Sequence, residues 1–377
     1  MKSKSIIFRQ GHFIEILCLF DSSKGPLDLF LYNYFRHHKQ LGSKDRRYIS
    51  EKIYLFFRWK ALIEAMGIEK EAACDLEEQE LLEYARTDSS LDEHVRVSFP
   101  KELFEAIKKS HGGSVRDICL ASNQQAPLTI RVNTAKISRK DLMVRLKPFA
   151  PRSDACVETA VHLDKRGSLW TLEEFSEGLF EVQDAGSQKI ASFVQVMPGE
   201  RVLDFCAGSG GKALAIAPTM DNKGQIFLHD VRQGALYEAR RCLKRAGVQN
   251  AQIVHSDEKR RRKLLKARMD WVLVDAPCSG TGTLRRNPDM KWRFSQDMLD
   301  RLVIEQREIF AQALTYLAPG GKIVYATCSL LQEENESQAD FFVKEYDLEV
   351  VGTPFCSVPE VCGMDGFYAV CMQKRAK

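Results

Sequence analysis

Two cysteines and four aspartates fall where an apolar run gives way to a loop. Cys278 lies in Asp275-Ala-Pro-Cys-Ser-Gly-Thr-Gly282, and Cys328 lies fifty residues later in Thr327-Cys-Ser329. A lone cysteine is more often a small buried hydrophobe than a reactive group. Cys18, Cys74, Cys119, Cys156, Cys242, Cys356, Cys362 and Cys371 are read that way. Cys278 and Cys328 differ by position, because each ends a strand and opens a loop. Cytosine chemistry gives a use for such thiols. Carbon 5 of the ring is a poor nucleophile toward a methyl sulfonium, and a thiolate adding to carbon 6 makes it enamine-like. After methyl transfer the carbon 5 proton leaves and the thiol is eliminated, a step that a second thiol can assist. An acid near ring nitrogen 3 would stabilise the adduct, and Asp275 is placed for it. Such thiols need nearby positive charge or a helix N-terminus to lower their pKa.

The run Arg201-Val-Leu-Asp-Phe-Cys206 leads into Ala207-Gly-Ser-Gly-Gly-Lys-Ala213. Gly208, Gly210 and Ala213 fit a dinucleotide fingerprint, a weak signal alone. An NAD pyrophosphate would sit on the helix N-terminus, where Asp204 would oppose it. Asp204 suits a ligand with a cationic amine and no phosphate, such as S-adenosylmethionine. Asp230, twenty residues beyond Gly210, is placed for ribose hydroxyls, and Asp257 for an adenine edge. Each carboxylate alone is more often a loop cap. Three of them after consecutive strands match the place where open α/β sheets bind ligands.

These residues need a sheet to position them. From Glu200 onward apolar strands alternate with helices: strands 201–206, 225–230, 251–255, 271–275 and 322–327, and helices 233–246, 296–317 and 333–346. That pattern predicts a parallel, doubly wound α/β sheet over 196–377. Leu348 to Val351 and Phe367 to Met372 have no full helix between them and are expected to form an antiparallel edge. Residues 126–195 read as a small α+β module, with strands at 127–133 and 178–182 and a helix over 138–146. Residues 1–125 read as helical, with a start at Pro100. After Ser43 as N-cap, Ile49, Ile53, Phe56, Phe57, Leu62 and Ile63 recur at helical spacing beneath a basic face that includes Arg46, Arg47, Arg58 and Lys60.

Composition bounds the class. The 377 residues carry a net charge of +4, but residues 1–60 hold 12 Lys/Arg against 5 Asp/Glu, and residues 61–100 hold 3 against 11. A charge run alone is more often a solvated face than a ligand surface. No run of about 18 apolar residues suggests a membrane span, and no secretory signal is evident. The 11 cysteines include no Cys-x-x-Cys pair, and the eight histidines show no metal-ligand spacing. The expectation is a soluble, monomeric, cytoplasmic protein with reduced thiols and no metal.

The motifs Asp204–Lys212, Asp275–Gly282 and Ala326–Leu330 with Glu333-Glu-Asn-Glu336 resemble the Sun/RsmB-type RNA (cytosine-5)-methyltransferase family. Arg131-Val-Asn133, Gln183–Ser187 and Asp365–Tyr368 match as well, so the resemblance spans about 126–377. It implies a Rossmann-like S-adenosylmethionine-dependent domain in which Cys328 is the nucleophile and Cys278 aids release. Cys206, Ala207, Gly208, Ser209, Gly210, Gly211, Lys212, Asp230, Asp257 and Asp275 would contact S-adenosylmethionine. The family usually has Ala-Ala-Pro-Gly-Gly-Lys where this chain has Ala207-Gly-Ser-Gly-Gly-Lys212. DNA cytosine methyltransferases use a Pro-Cys nucleophile, which keeps a case for Cys278. Arg131, Asn133, Arg285, Arg286, Lys291 and Trp292 are expected RNA contacts, with Arg293 beside them and the basic run Lys259–Lys263, Lys266 and Arg268 as a further candidate. Leu41–Ile49 with Phe57-Arg-Trp-Lys60 resembles a NusB-like RNA-binding domain, which favours small-subunit ribosomal RNA over transfer RNA. Two rivals stay open: an NAD oxidoreductase, and an RNA-binding assembly factor without turnover.

Overall fold

A computed structural model describes residues 4–20, 25–87, 89–359 and 363–375. Two compact units emerge, one of residues 1–125 with 283–296 and one of residues 126–282 with 297–377. Among the described residues no helix is long and apolar enough to cross a membrane.

The first unit is helical: α1 (Lys4–Phe20), α2 (Leu27–His37), α3 (Ser43–Ala65), α4 (Lys70–Ala73), α5 (Glu78–Thr87), α6 (Glu93–Arg96), α7 (Lys101–His111) and α8 (Val115–Asn123). Gly42, not Ser43, precedes α3 as its cap, and the Gly42 N–H donates to Asp45 Oδ2 at 3.3 Å. The predicted apolar stripe of α3 is buried, with Trp59 added to it. Arg58 departs from the expected basic outer face: it is buried, and its Nη2 donates to the Arg285 carbonyl at 3.0 Å. Residues 283–296, which follow the Cys278 loop in sequence, fold into this unit, with a 3₁₀ turn over Pro288–Arg293.

The second unit opens with a small antiparallel sheet of β1 (Leu128–Val132), β2 (Pro151–Ser153), β3 (Ala160–Leu163) and β4 (Phe180–Val182), in the order β2-β3-β1-β4. Helices α9 (Arg139–Arg145) and α10 (Glu173–Ser176) accompany it, and α11 (Ala185–Ala191) follows. Ser138 Oγ caps α9 by accepting from the Asp141 N–H at 3.1 Å, as side-chain oxygens at that position do. Ile130, Val132, Leu142, Leu146, Val161 and Phe180 form its core.

The large sheet comprises β5 (Arg201–Asp204), β6 (Gln225–Asp230), β7 (Ala251–His255), β8 (Met269–Asp275), β9 (Leu317–Thr327), β10 (Leu348–Val350), β11 (Phe355–Ser357) and β12 (Phe367–Lys374). Its order is β10-β12-β9-β8-β5-β6-β7, with β11 beside β12. Strands β5 to β9 pair in parallel, and β12 runs antiparallel between β9 and β10, as the late strands predicted. The crossovers carry α12 (Gly211–Ile216), α13 (Gln233–Ala246), α14 (Lys259–Leu265), α15 (Gln296–Leu314) and α16 (Glu336–Glu345). Both faces of the sheet are covered by apolar side chains, which is why its strands read as continuous apolar runs. The helix expected over 333–346 begins later. Gln332–Glu334 form a 3₁₀ turn, and Asn335 breaks the backbone before α16.

Candidate active site

Parallel pairing puts the carboxyl ends of β5, β6, β8 and β9 on one edge, and the proposed site residues gather there. Beyond Asp204 the chain turns through Gly208 (φ +54°) and Gly210 (φ +81°), a region that favours glycine. A side chain at Gly210 would also press on Ala239 and Leu228, at 3.2 and 3.3 Å. The altered loop thus keeps its turn, with Ser209 exposed at its tip. The Gly208 N–H donates to Asp230 Oδ2 at 2.8 Å, so β6 anchors the glycine turn. Arg232 closes on the same carboxylate, donating from its backbone N–H at 2.8 Å and from Nε at 3.1 Å. Burial pushes the Asp230 carboxyl up, but these donors outweigh it and hold it below the usual range. The Cys206 thiol is pushed up by burial and by the neighbouring carboxylates, which suits a wall of the loop and not a nucleophile. Asp257 is exposed in the turn after β7, beside Lys259 and Arg260.

Asp204 is 1% exposed, and neither carboxylate oxygen has a hydrogen-bond partner of ordinary geometry. The Ala213 N–H is a weak donor to it and favours the charged form. Burial first, and then Asp275, push its carboxyl up to about 7, against the pull of Lys212. A buried acceptor without a partner costs free energy, and a ligand carrying a cationic amine would supply one. Lys212 is already used: its Nζ donates to Asp275 Oδ2. Burial opposes its charge, but Asp275 and Asp204 hold its pKa above the usual value. A pyrophosphate would meet Asp204, Asp230 and Asp275 with Lys212 neutralised. These residues fit S-adenosylmethionine and disfavour NAD.

The two thiols meet. Asp275 pairs with Ala326 across β8 and β9, so the loops that follow run side by side. Cys278 Sγ and Cys328 Sγ lie 3.4 Å apart. The Cys278 thiol is pushed well above its usual pKa, first by its hydrogen bond with Cys328 and then by burial.

A buried polar frame fixes this pair. Glu334, fully buried, accepts from the Ser279 N–H at 2.8 Å, Ser279 Oγ at 2.5 Å and Gln306 Nε2 at 2.9 Å. Gln306 Nε2 also donates to the Pro277 carbonyl at 3.0 Å, and Tyr325 Oη donates to the Glu334 carbonyl at 2.8 Å. Asn335 Nδ2 donates to the Ser329 carbonyl at 2.9 Å, and Thr281 Oγ1 accepts from the Leu330 N–H at 2.9 Å. The Gly282 N–H donates to the Cys328 carbonyl at 2.9 Å. A Cβ on Gly282 would lie 2.0 Å from the Gly366 carbonyl oxygen, so the Asp365-Gly366 segment buttresses the loop at closest approach. Glu334, Gln306, Tyr325 and Thr281 were not singled out from sequence. Two motifs carry a signal for them: Glu333–Glu336 contains Glu334, and Asp275–Gly282 contains Thr281.

Several expected RNA contacts are instead taken up by the fold. Lys291 is 1% exposed, and its Nζ donates to the carbonyls of Arg58 (2.5 Å) and Ser98 (2.6 Å) and to Asn123 Oδ1 (2.8 Å). Trp292 Nε1 donates to the Phe57 carbonyl at 2.7 Å, Arg285 is buried, and Arg293 pairs with Asp289. Arg131 and Asn133 are buried as well, bonded to main-chain carbonyls of the second unit. Arg286 is half-buried. In the basic run, Arg261 and Arg262 turn back to the Ile253 and Ser256 carbonyls, each at 3.0 Å, whereas Lys259, Arg260, Lys263, Lys266 and Arg268 are exposed.

Of the remaining cysteines, Cys74, Cys119 and Cys371 are buried as expected, but Cys18 and Cys356 are exposed. Cys156 is disulfide-bonded, contrary to the expected reduced thiols. Cys362 lies outside the described residues. Among the described residues one group has metal-like spacing, His12, Glu15 and His38. The Tyr34 hydroxyl lies 2.6 Å from both His12 Nδ1 and Glu15 Oε2 and links them by hydrogen bonds.

Residues 191–367 match the family model described as 16S rRNA methyltransferase RsmB/F, and residues 99–169 match the RsmF/B-like ferredoxin-like domain. The chain is 33% identical over 293 residues to ribosomal RNA small subunit methyltransferase B of Klebsiella pneumoniae, covering 74% of this chain and 67% of that protein. The same protein of Vibrio cholerae is 32% identical over 316 residues, covering 78% and 71%. A methyltransferase homolog from Pyrococcus horikoshii superposes with a TM-score of 0.67 at 28% identity, covering 80% of this chain and all of that one. A glycine turn anchored by Asp230, a buried and under-partnered Asp204, an RsmB/F match from β5 through β11 and relatives more than 30% identical lead to one conclusion: the chain belongs to the RsmB/F methyltransferase family, with S-adenosylmethionine as its cofactor.

Proposed function

We propose that the chain methylates carbon 5 of cytosine in RNA, small-subunit ribosomal RNA above all, with Cys328 as nucleophile and Cys278 aiding release. The observation that carries this reading is the 3.4 Å approach of the two thiols at adjacent strand ends, beside the Lys212–Asp275 pair. In this reading, which the resemblance of Thr327-Cys-Ser329 supports, the Cys278 S–H donates to a Cys328 thiolate, and Cys328 is the sulfur that attacks. Its Sγ forms a bond to carbon 6 as ring nitrogen 3 takes a proton from the Lys212–Asp275 pair. S-adenosylmethionine supplies the methyl group that carbon 5 accepts. The carbon 5 proton then passes to water, the carbon 6–sulfur bond breaks, and nitrogen 3 returns its proton to the pair. Cys278 aids that departure by donating its S–H to Cys328 as the sulfur regains negative charge. The target base must leave its stack to reach the thiol. The exposed cations Lys259, Arg260, Lys263, Lys266 and Arg268 are suited to bind the phosphate backbone.

The test is a pair of variants with radiolabelled cofactor and ribosomal RNA. Cys328→Ala should abolish methyl incorporation and form no adduct. Cys278→Ala should accumulate a covalent protein–RNA species on a denaturing gel. Adduct formation that requires Cys278 and survives loss of Cys328 would reverse the two roles. Incorporation elsewhere than carbon 5, read by bisulfite sequencing, would sink the cytosine assignment.

A further inference from the structure

The Arg131-Val-Asn133 segment, with Lys136, sends three donors to main-chain carbonyls of α12, which carries Gly211 and Lys212, and of α13, which follows Asp230. Arg131, on β1 and 4% exposed, donates from Nη1 to the Gly211 carbonyl at 2.7 Å and also to Gln183 Oε1. Gly211 is the first residue of α12, between the glycine turn and Lys212. Asn133 Nδ2 donates to the Ala246 carbonyl at 3.0 Å, and Lys136 Nζ donates to the Arg245 carbonyl at 2.8 Å. Both acceptors lie in the last turn of α13, whose carbonyls lack partners within the helix. Helix α13 begins just after Asp230 and Arg232. Arg131 has no carboxylate of its own to satisfy: its cross-strand neighbour Glu181 is held by Arg245 Nη2 at 2.7 and 2.5 Å. A guanidinium this deeply buried, spent on a carbonyl and an amide, has no surface to offer a phosphate.

We propose that Arg131 is a positioning residue for S-adenosylmethionine: through the Gly211 carbonyl it sets the start of α12, and with it the glycine turn and Lys212. The segment that carries the family resemblance in the small module then serves cofactor binding, not RNA contact. This rests on the cofactor loop and is independent of which base is methylated, so failure of the cytosine reading leaves it standing.

The experiment uses the full chain. Arg131→Lys keeps the charge but not the planar fork, and Arg131→Gln removes both. Calorimetric titration with S-adenosylmethionine and with S-adenosylhomocysteine should give dissociation constants raised about tenfold or more for the Gln variant and less for Lys. Affinity for a ribosomal RNA fragment, measured without cofactor, should change less than twofold. The KM for S-adenosylmethionine should rise by a larger factor than kcat at saturating cofactor falls. If Arg131→Gln does not fold, Gln183→Ala, which removes the second acceptor at a half-buried position, must still raise the cofactor dissociation constant several-fold. Unchanged cofactor affinity in the folded variants would overturn the proposal, as would RNA affinity falling tenfold while cofactor affinity holds.

Discussion

Glu334 is the strongest test of how the two thiols are held. Its buried carboxylate accepts three hydrogen bonds, two of them from Ser279, the residue after Cys278. Glu334→Gln keeps the shape. The best amide orientation leaves its oxygen facing the Ser279 N–H and Gln306 Nε2 and turns its NH₂ toward Ser279 Oγ. That hydroxyl can rotate to accept, because Thr281 Oγ1 and Ser329 Oγ lie 3.2 and 3.3 Å away as alternative partners. The loss is then mainly the charge assistance, about 1–3 kcal/mol in total. Glu334→Ala is worse, since it strands the Ser279 N–H and one of the two Gln306 amide hydrogens without an acceptor, at about 1–3 kcal/mol each, and adds a cavity. For a unit of this size about 1 kcal/mol moves the melting temperature by about 2–4 °C. Thermal unfolding should therefore rank wild type above Gln above Ala, with Ala lower by about 10 °C or more. Because the cofactor loop touches none of these bonds, S-adenosylmethionine affinity of the folded Gln variant should stay within about twofold. Its turnover should fall about tenfold as the Cys278 loop loosens, equivalent to about 1.4 kcal/mol on the barrier. An Ala variant that melts with the wild type, or a Gln variant with full turnover, would refute the view that this frame holds the thiols.

Asp204, with its carboxyl pushed up to about 7 by burial, makes cofactor affinity depend on pH. Its charged form is the better partner for an amine, so affinity should rise about tenfold from pH 6 to pH 8, and Asp204→Asn should bind weakly with no such slope. The sign for stability is opposite. Because the folded pKa is raised, the cofactor-free protein carries the cost of this group fully above pH 7 and sheds it as pH falls toward the ordinary carboxylate value of 3.8. Urea titrations of wild type and Asp204→Asn should converge at low pH; parallel curves would refute this. Lys291→Met strands three acceptors in the helical unit and should destabilise it by about 1–3 kcal/mol or more. The salt dependence of RNA binding should be unchanged in the folded variant, whereas a smaller salt slope would restore Lys291 as a phosphate contact.

The sheet was readable because burial on both faces writes itself locally. Val202, Leu203, Ile226, Leu228, Val272, Val274, Ile323 and Val324 are all buried, and their runs mark β5, β6, β8 and β9 directly. Once the strands are parallel, whatever ends them shares an edge, so Asp204, Asp230, Asp275, Cys278 and Cys328 could be grouped before any coordinates. Strands β2 (Pro-Arg-Ser) and β11 (Phe-Cys-Ser) lack the apolar–polar–apolar alternation that marks the equally short β4 and β10, so they are not legible in the sequence, and neither is four-residue β3. The cations failed for a different reason. Arg58, Arg131 and Lys291 look in sequence like any basic residue, and what distinguishes them is the acceptor each one meets. For Lys291 those acceptors are at Arg58, Ser98 and Asn123, some 170 to 230 residues away, and no local pattern encodes them. A useful distinction follows from the neighbours. Arg58 and Lys291 sit among buried aromatics (Phe57, Trp59, Phe99) and are absorbed by the fold, whereas Lys259, Arg260 and Lys263 follow one another on a seven-residue helix with no buried residue and stay outside. A cation interleaved with apolar anchors is drawn into the core, whereas within a run of cations only those with a main-chain carbonyl in reach, Arg261 and Arg262, turn inward and the rest stay exposed.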